Sequence, residues 1–308
     1  MKKFLLLFIS AALLALVACG NGEEKNNDAT ANETEDATNE TTNEEANEEK
    51  GTIVFGQTPW SSTAPPTQIA KQILEEQGYE IEVQHVSQPI IWDGMSNQEI
   101  DFFMDAWLPY TEAPRWEKFQ DELVKVATSY ENAELGWAVP SYVEEDTIEE
   151  LKANADKYDG EIVTISEGAG IVEISTEMFE GENFEENGFK LSPSSEGAMI
   201  SVVQSKIDNE EPVVFTPWRP HSIFARNDLK FLEGQDEYFQ ADNVYVLSYD
   251  GIEEAHPEAY EILSNWSISI AELEAMILEN EENGTSFEDL ATEWIEDNRD
   301  KVDQMLGK

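Results

Sequence analysis

Residues 101–111 read DFFMDAWLPYT, an apolar run rich in β-forming residues that ends on Trp107 and is followed by Leu108-Pro109. Proline has no amide hydrogen to offer a sheet ladder, so a strand is predicted to finish at this tryptophan. The same pattern occurs twice more. IVFGQTPW at 53–60 ends on Trp60 after Pro59, and PVVFTPW at 212–218 ends on Trp218, which Arg219-Pro220 follows. Further β-rich runs lie at Thr52–Phe55, Ile81–Val86, Glu161–Ser166 and Val244–Tyr249. Helical periodicity separates several of them. Thr67–Gln77 carries Ile69, Ala70, Ile73 and Leu74 on one face, and Ser194–Ile207 carries Ala198, Met199, Val202, Val203 and Ile207. Ser269 with Glu272, and Thr285 with Glu288, read as capping boxes that open two C-terminal helices. Strands alternating with helices predict an α/β fold. The 308 residues suit two α/β units, divided near residues 138 and 245.

Composition narrows the partners. Eighteen Lys and Arg face 66 Asp and Glu, a formal charge of −48. Nucleic acid is excluded as a partner, because binding its phosphates needs a basic surface. The three histidines, at 85, 221 and 256, lack the close spacing of a helix-borne metal motif, so no metal or other cofactor is expected. The single cysteine forms no intramolecular disulfide.

That cysteine has a different reading. Lys2 and Lys3 precede a short apolar run, and Leu16-Val17-Ala18-Cys19 closes it. Basic start, apolar stretch and small residues at the end make a signal-peptide pattern over residues 1–19. The last four residues look like a bacterial lipobox, in which Cys19 would be lipidated and become the mature N-terminus. Acyl chains contribute about 0.8 kcal/mol per buried CH₂, so a lipid anchor on the outer face of a cell membrane is expected. Residues 21–50 contain only Asn, Gly, Glu, Lys, Asp, Ala and Thr, with a net charge of −9. Such a stretch cannot bury apolar surface and reads as a disordered acidic tether over 20–50. Residues 1–20 carry +2, which leaves −41 for residues 51–308. Life in high salt, where the Debye length falls to about 3 Å at 1 M, would screen that self-repulsion; attraction of cationic ligands is the other reading.

The three strand-end tryptophans carry the chemistry. Ligands in open α/β sheets bind beyond the carboxyl ends of strands, so three indole faces would converge on one crevice. A box of indoles suits a quaternary ammonium, which has no N–H to donate; ring quadrupoles need none, and a desolvated contact is worth about 2 kcal/mol. Tryptophan is more often core packing, and Trp92, Trp116, Trp137, Trp266 and Trp294 keep that reading. A second signal is SEGAGI at 166–171, where glycines between a strand and a helix would let backbone N–H groups approach an anion. Together these features suggest a ligand that is positive at one end and a carboxylate at the other.

Residues 51–308 resemble the glycine betaine (OpuAC-type) substrate-binding proteins of ABC transporters. DAWLPYT at 105–111 and FTPWRPHSIF at 215–224 are the strongest matches, supported by SEGAGI at 166–171 and HPEAYEIL at 256–263. The resemblance implies a two-lobed, periplasmic-binding-protein-like α/β fold of type II with the ligand in the interlobe cleft. Residues 51–138 plus 245–308 would form lobe I, and 139–244 lobe II. It implies that Trp60, Trp107 and Trp218 box a trimethylammonium group and that Gly170 and Ile171 offer amides to a carboxylate. His221 matches the family's Pro-His pair and is assigned to supporting the Trp218 turn. One position departs. Family members commonly have a histidine five residues after the DAWLP tryptophan, where this chain has Glu112. Either Glu112 turns away, or it is protonated, or the ligand lacks the carboxylate, as choline does. Arg115, Tyr110 and Thr111 are nearby in sequence; a surface role is expected for Arg115.

The expected function is extracytoplasmic capture of glycine betaine or a related quaternary-ammonium osmolyte by domain closure. The closed form would deliver the ligand to a membrane permease and its ATPase. Choline, carnitine or a polyamine are alternative ligands. An extracellular hydrolase would need a positioned base and nucleophile; Ser222 beside His221 lacks a nucleophile-elbow motif, and close carboxylates such as Asp105 and Glu112 arise by chance in so acidic a chain.

Overall fold

The structure is a computed structural model that describes residues 50–308. The expected leader, Cys19 and the acidic stretch through residue 49 lie outside the described residues.

Ten strands follow in chain order: β1 (Thr52–Gln57), β2 (Glu80–His85), β3 (Phe102–Leu108), β4 (Leu123–Ala133), β5 (Ala138–Pro140), β6 (Glu161–Thr164), β7 (Lys190–Pro193), β8 (Val214–Phe215), β9 (Leu229–Phe231) and β10 (Asp242–Tyr249). They form two five-stranded sheets, ordered β2-β1-β3-β10-β4 and β7-β6-β8-β5-β9. The two orders are the same design. In each, three strands run parallel and a fourth, from the far end of the lobe's chain segment or its start, pairs antiparallel to two others. The chain leaves the first sheet after Ala133, enters the second at Ala138, and returns between Phe231 and Asp242.

Helices α1 (Ala64–Glu76), α2 (Gln88–Ser96), α3 (Ala113–Phe119), α4 (Ile148–Lys152), α5 (Gly170–Gly181) and α6 (Glu196–Asp208) connect these strands. The apolar face foreseen on α1 is buried, with Ile69, Ala70, Ile73 and Leu74 in the core. Helix α6 opens at Ser195, whose side chain accepts from the Ala198 amide. β3 is buried along its whole length, as expected for a strand covered on both faces. Trp92, Trp137, Trp266 and Trp294 are core residues, and Trp116 packs against the core half-buried.

The Ser269–Glu272 capping box is present in full and starts the helix Ile270–Asn283. The second box is displaced by one residue. Ser286, not Thr285, caps the helix Phe287–Asp297, accepting from the Asp289 amide. Thr285 is occupied elsewhere, its hydroxyl donating to Glu279 and its carbonyl accepting from Asn280.

Candidate ligand-binding site

The carboxyl ends of β1, β3, β6 and β8 lead into the loops that bound one cavity of about 360 Å³. The first sheet's side contributes Trp60, Ser62, Gln88, Asp105, Trp107, Thr111 and Glu112; the second's contributes Ile165, Ala169, Gly170, Ile171 and Trp218. Stretches 47 to 158 residues apart thus bring Trp60, Trp107 and Trp218 to the same space. Trp107 and Trp218 are almost covered, and Trp60 is half-buried.

The start of α5 also lines the cavity. Gly170 and Ile171 are its first two residues, so their N–H groups have no carbonyl in a preceding turn to bond. Only glycine fits at 170. A Cβ there would stand 2.6 Å from Thr111 Cγ2 and 3.0 Å from the Thr111 carbonyl oxygen. The two sides of the cavity meet at this point.

Two carboxyl groups face the cavity. Asp105 Oδ1 accepts from Trp107 Nε1 at 3.1 Å and from the Tyr130 hydroxyl at 2.9 Å, which sets the plane of the Trp107 indole. Burial pushes the Asp105 carboxyl up to about 6, while the Tyr130 and Trp107 hydrogen bonds restrain it. Glu112 is fully buried, and its Oε2 accepts from the Trp107 amide at 2.8 Å. Burial raises its pKa well above the usual carboxylate range, with the Arg115 charge opposing and the Asp105 charge adding to the rise. The side chain therefore does not turn away from the cavity.

The cavity also concentrates unsatisfied polar atoms. Among the described residues, seven buried side-chain atoms have no hydrogen-bond partner, and five belong to residues lining it: Trp60 Nε1, Gln88 Oε1, Asp105 Oδ2, Thr111 Oγ1 and Glu112 Oε1. Each such group costs about 1–3 kcal/mol unless something completes its bonding. Their clustering marks where a guest has polar work to do.

His221 is not a lining residue. Its ring stands edge-on to Trp218, with centroids 5.0 Å apart and an interplanar angle of 86°. The Ile223 amide donates to its Nδ1, so the proton sits on Nε2, which donates to Glu196 Oε1 at 3.0 Å. Glu196, which the sequence did not mark, also accepts from the Ser61 amide at 2.8 Å and the Ser61 hydroxyl at 2.5 Å. It ties α6 to the residue after Trp60. Trp218 Nε1 donates to Ser62 Oγ at 3.3 Å on the same flank.

Arg115 differs from the surface role expected of it. Its side chain is only 11% exposed, and its guanidinium donates to both Glu173 oxygens and to the Gly168 carbonyl. It bridges α3 to the α5 turn across the other flank. Tyr110 and Thr111 are held by Asp242, whose two oxygens accept from their amides at 2.7 and 2.9 Å. No group of His, Cys, Asp and Glu among the described residues is arranged to hold a metal ion.

Two sheets of one design, joined by two crossing segments and enclosing a small cavity at their strand ends, define a two-lobed substrate-binding protein of type II. The comparison with known families agrees. A profile of the substrate binding domain of the ABC-type glycine betaine transport system matches residues 51–297, and the chain belongs to that family. Its members bind a substrate without transforming it. The chain is 32% identical over 142 residues to the glycine betaine/carnitine transport binding protein GbuC of Listeria monocytogenes serotype 1/2a (strain 10403S), covering 46% of this chain and 47% of that protein. The match thus spans about half the length of this relative. Among solved structures, lactococcal OpuAC in its closed conformation with glycine betaine is 28% identical, with a TM-score of 0.77 over 83% of this chain and 99% of that one. An ABC-transporter choline binding protein in complex with choline is 25% identical, with a TM-score of 0.79 over 83% and 91%. Among the described residues, no helix is long and apolar enough to cross a membrane.

Proposed function

We propose that this protein is the extracytoplasmic substrate-binding component of an ABC importer, and that it captures a quaternary-ammonium osmolyte of the glycine betaine, choline and carnitine group. The observation that carries the reading is the meeting of Trp60, Trp107 and Trp218 in one cavity that the start of α5 also lines. The indoles would surround the trimethylammonium group, and residues 170 and 171 would bond the polar end. The relatives bind glycine betaine, carnitine or choline by their names, which favours the same ligand group here.

Capture would proceed by closure of the lobe built on the second sheet, 138–231, on the lobe built on the first, 52–133 with 242–308; the boundaries expected near 138 and 245 shift because β5 belongs to the second sheet and all of β10 to the first. Closure removes the cation from water and leaves ring faces in place of hydration. The Ser61–Glu196 and Arg115–Glu173 contacts would latch the closed form on its two flanks. The closed form would dock on a permease driven by an ATPase, with lipidated Cys19 holding the protein at the membrane.

Titration calorimetry against trimethylammonium ligands and their primary-amine counterparts tests the reading. Trimethylated compounds bind and primary amines fail to displace them; the reverse order defeats it. Cys19→Ala releases the protein from the membrane fraction, and continued retention would count against lipidation.

A further inference from the structure

We propose that Glu112, with Asp105 beside it, sets the ligand class of this cavity: a cationic alcohol of the choline type, whose hydroxyl donates to Glu112 Oε1 and accepts from the α5 amides, in preference to a zwitterionic betaine. The proposal rests on the quaternary-ammonium reading above and sharpens it.

The argument starts from the inventory of the cavity wall. Free acceptors are Gln88 Oε1, Asp105 Oδ2 and Glu112 Oε1. Free donors are Trp60 Nε1, the Thr111 hydroxyl and the amides of Gly170 and Ile171. No cationic side chain lines the cavity. Arg115, the nearest candidate in sequence, is engaged by Glu173 and the Gly168 carbonyl. A carboxylate placed at the α5 amides can be received beside Glu112 and Asp105 only while burial keeps both protonated, because like charges in a desolvated site repel strongly. A hydroxyl needs one acceptor and offers one. Glu112, a lining residue, is held for that role, because the Trp107 amide fixes its Oε2 and leaves its buried Oε1 without a partner.

Overall charge points the same way. A choline-type guest carries +1 and lets an acidic group of the cavity ionise beside it, whereas a betaine carries zero and brings a further carboxyl group that holds the others protonated. Discrimination here comes as much from repelling the wrong guest as from bonding the right one.

The test is calorimetry of the full chain at pH 8 with choline, glycine betaine, choline methyl ether and putrescine. Choline binds at least tenfold more tightly than glycine betaine, and at least fivefold more tightly than choline methyl ether, which keeps the oxygen and loses the donor. Glu112→Gln preserves the bond to the Trp107 amide and lowers the choline-to-betaine preference at least tenfold. Glycine betaine binding as well as choline in the unaltered protein overturns the proposal while leaving the quaternary-ammonium reading intact. An unchanged preference in a folded Glu112→Gln does the same. If that variant fails to fold, the ligand series on the unaltered protein still decides. Putrescine displacing every trimethylated compound overturns both readings.

Discussion

Replacing Trp107 by leucine removes one ring face from the cavity while keeping an apolar side chain of useful bulk. Trp107 is only 6% exposed, so its contact with a bound cation would be desolvated, where a cation–π interaction is worth about 2 kcal/mol. At 1.4 kcal/mol per tenfold, Trp107→Leu weakens binding of a trimethylammonium ligand about 30-fold. The change also leaves Asp105 Oδ1 with Tyr130 as its one remaining donor. Large-to-small replacement of a buried aromatic costs about 3–5 kcal/mol of stability when truncated to alanine, and leucine softens that loss. Trp107→Phe keeps a π-face and loses the indole N–H, so it retains more affinity than leucine. The control is Trp266→Leu. Trp266 is as deeply buried, bonds Ser129 Oγ at 2.8 Å, and lies outside the cavity lining. Calorimetry and thermal melts on the three variants separate the effects. The reasoning is refuted if Trp107→Leu binds within threefold of the unaltered protein, or if Trp266→Leu loses as much affinity for the same loss of stability.

Two further outcomes follow from named contacts. Gly170→Ala drives a methyl group against the Thr111 carbonyl, so ligand affinity falls at least tenfold with little change in the ligand-free melting temperature; an unchanged dissociation constant would show that the two sides do not approach this closely when ligand is bound. Asp105 titrates near 6 when folded and near 3.9 when unfolded. The folded state therefore holds a proton that the unfolded state has released between these values. Its contribution favours folding below about pH 4 and is lost as pH rises through about 6, by about 3 kcal/mol in all. Denaturant titrations from pH 4 to 7 on the unaltered protein and on Asp105→Asn read this directly, since the variant lacks that part of the slope; parallel profiles would contradict the assignment.

Two acidic groups elsewhere, Glu145 and Glu272, act in the opposite sense and are visible in the same experiment, whereas Asp101, Glu112 and Asp242 are raised by burial like Asp105. Glu145 is lowered by hydrogen bonds from Lys157 and Tyr158 that outweigh its burial, and Glu272 by its capping bonds to Ser269. Each contributes stability above its unfolded value that is lost as pH falls. The difference between variant and parent, rather than the overall profile, isolates Asp105.

Local chemistry explains what was readable from the chain. Proline placed after or before each of these tryptophans is a backbone constraint, so the position of Trp60, Trp107 and Trp218 within three residues of a strand end is encoded locally. The same holds for the apolar face of α1 and for the Ser269–Glu272 cap. The displaced cap shows where local reading fails. Thr285 and Ser286 both precede an acid three residues on, and the choice falls to Gly284, which ends the preceding helix in the left-handed region at φ 72° and leaves Ser286 to start the next.

The strand ends, the glycine turn and the departure at residue 112 were therefore determined by the order of the amino acids alone. Which acids face the cavity was decided by folding. Asp105 and Glu112 are two of 66 acidic residues; the sequence marked them by position, but not that both would be buried against one cavity. Glu196 reaches Ser61 across 135 positions, and Arg115 reaches Glu173 across 58. A carboxyl group acquires its role from what surrounds it in space, because burial and the identity of its donors set both its charge and its direction, and those neighbours arrive only when the two sheets come together.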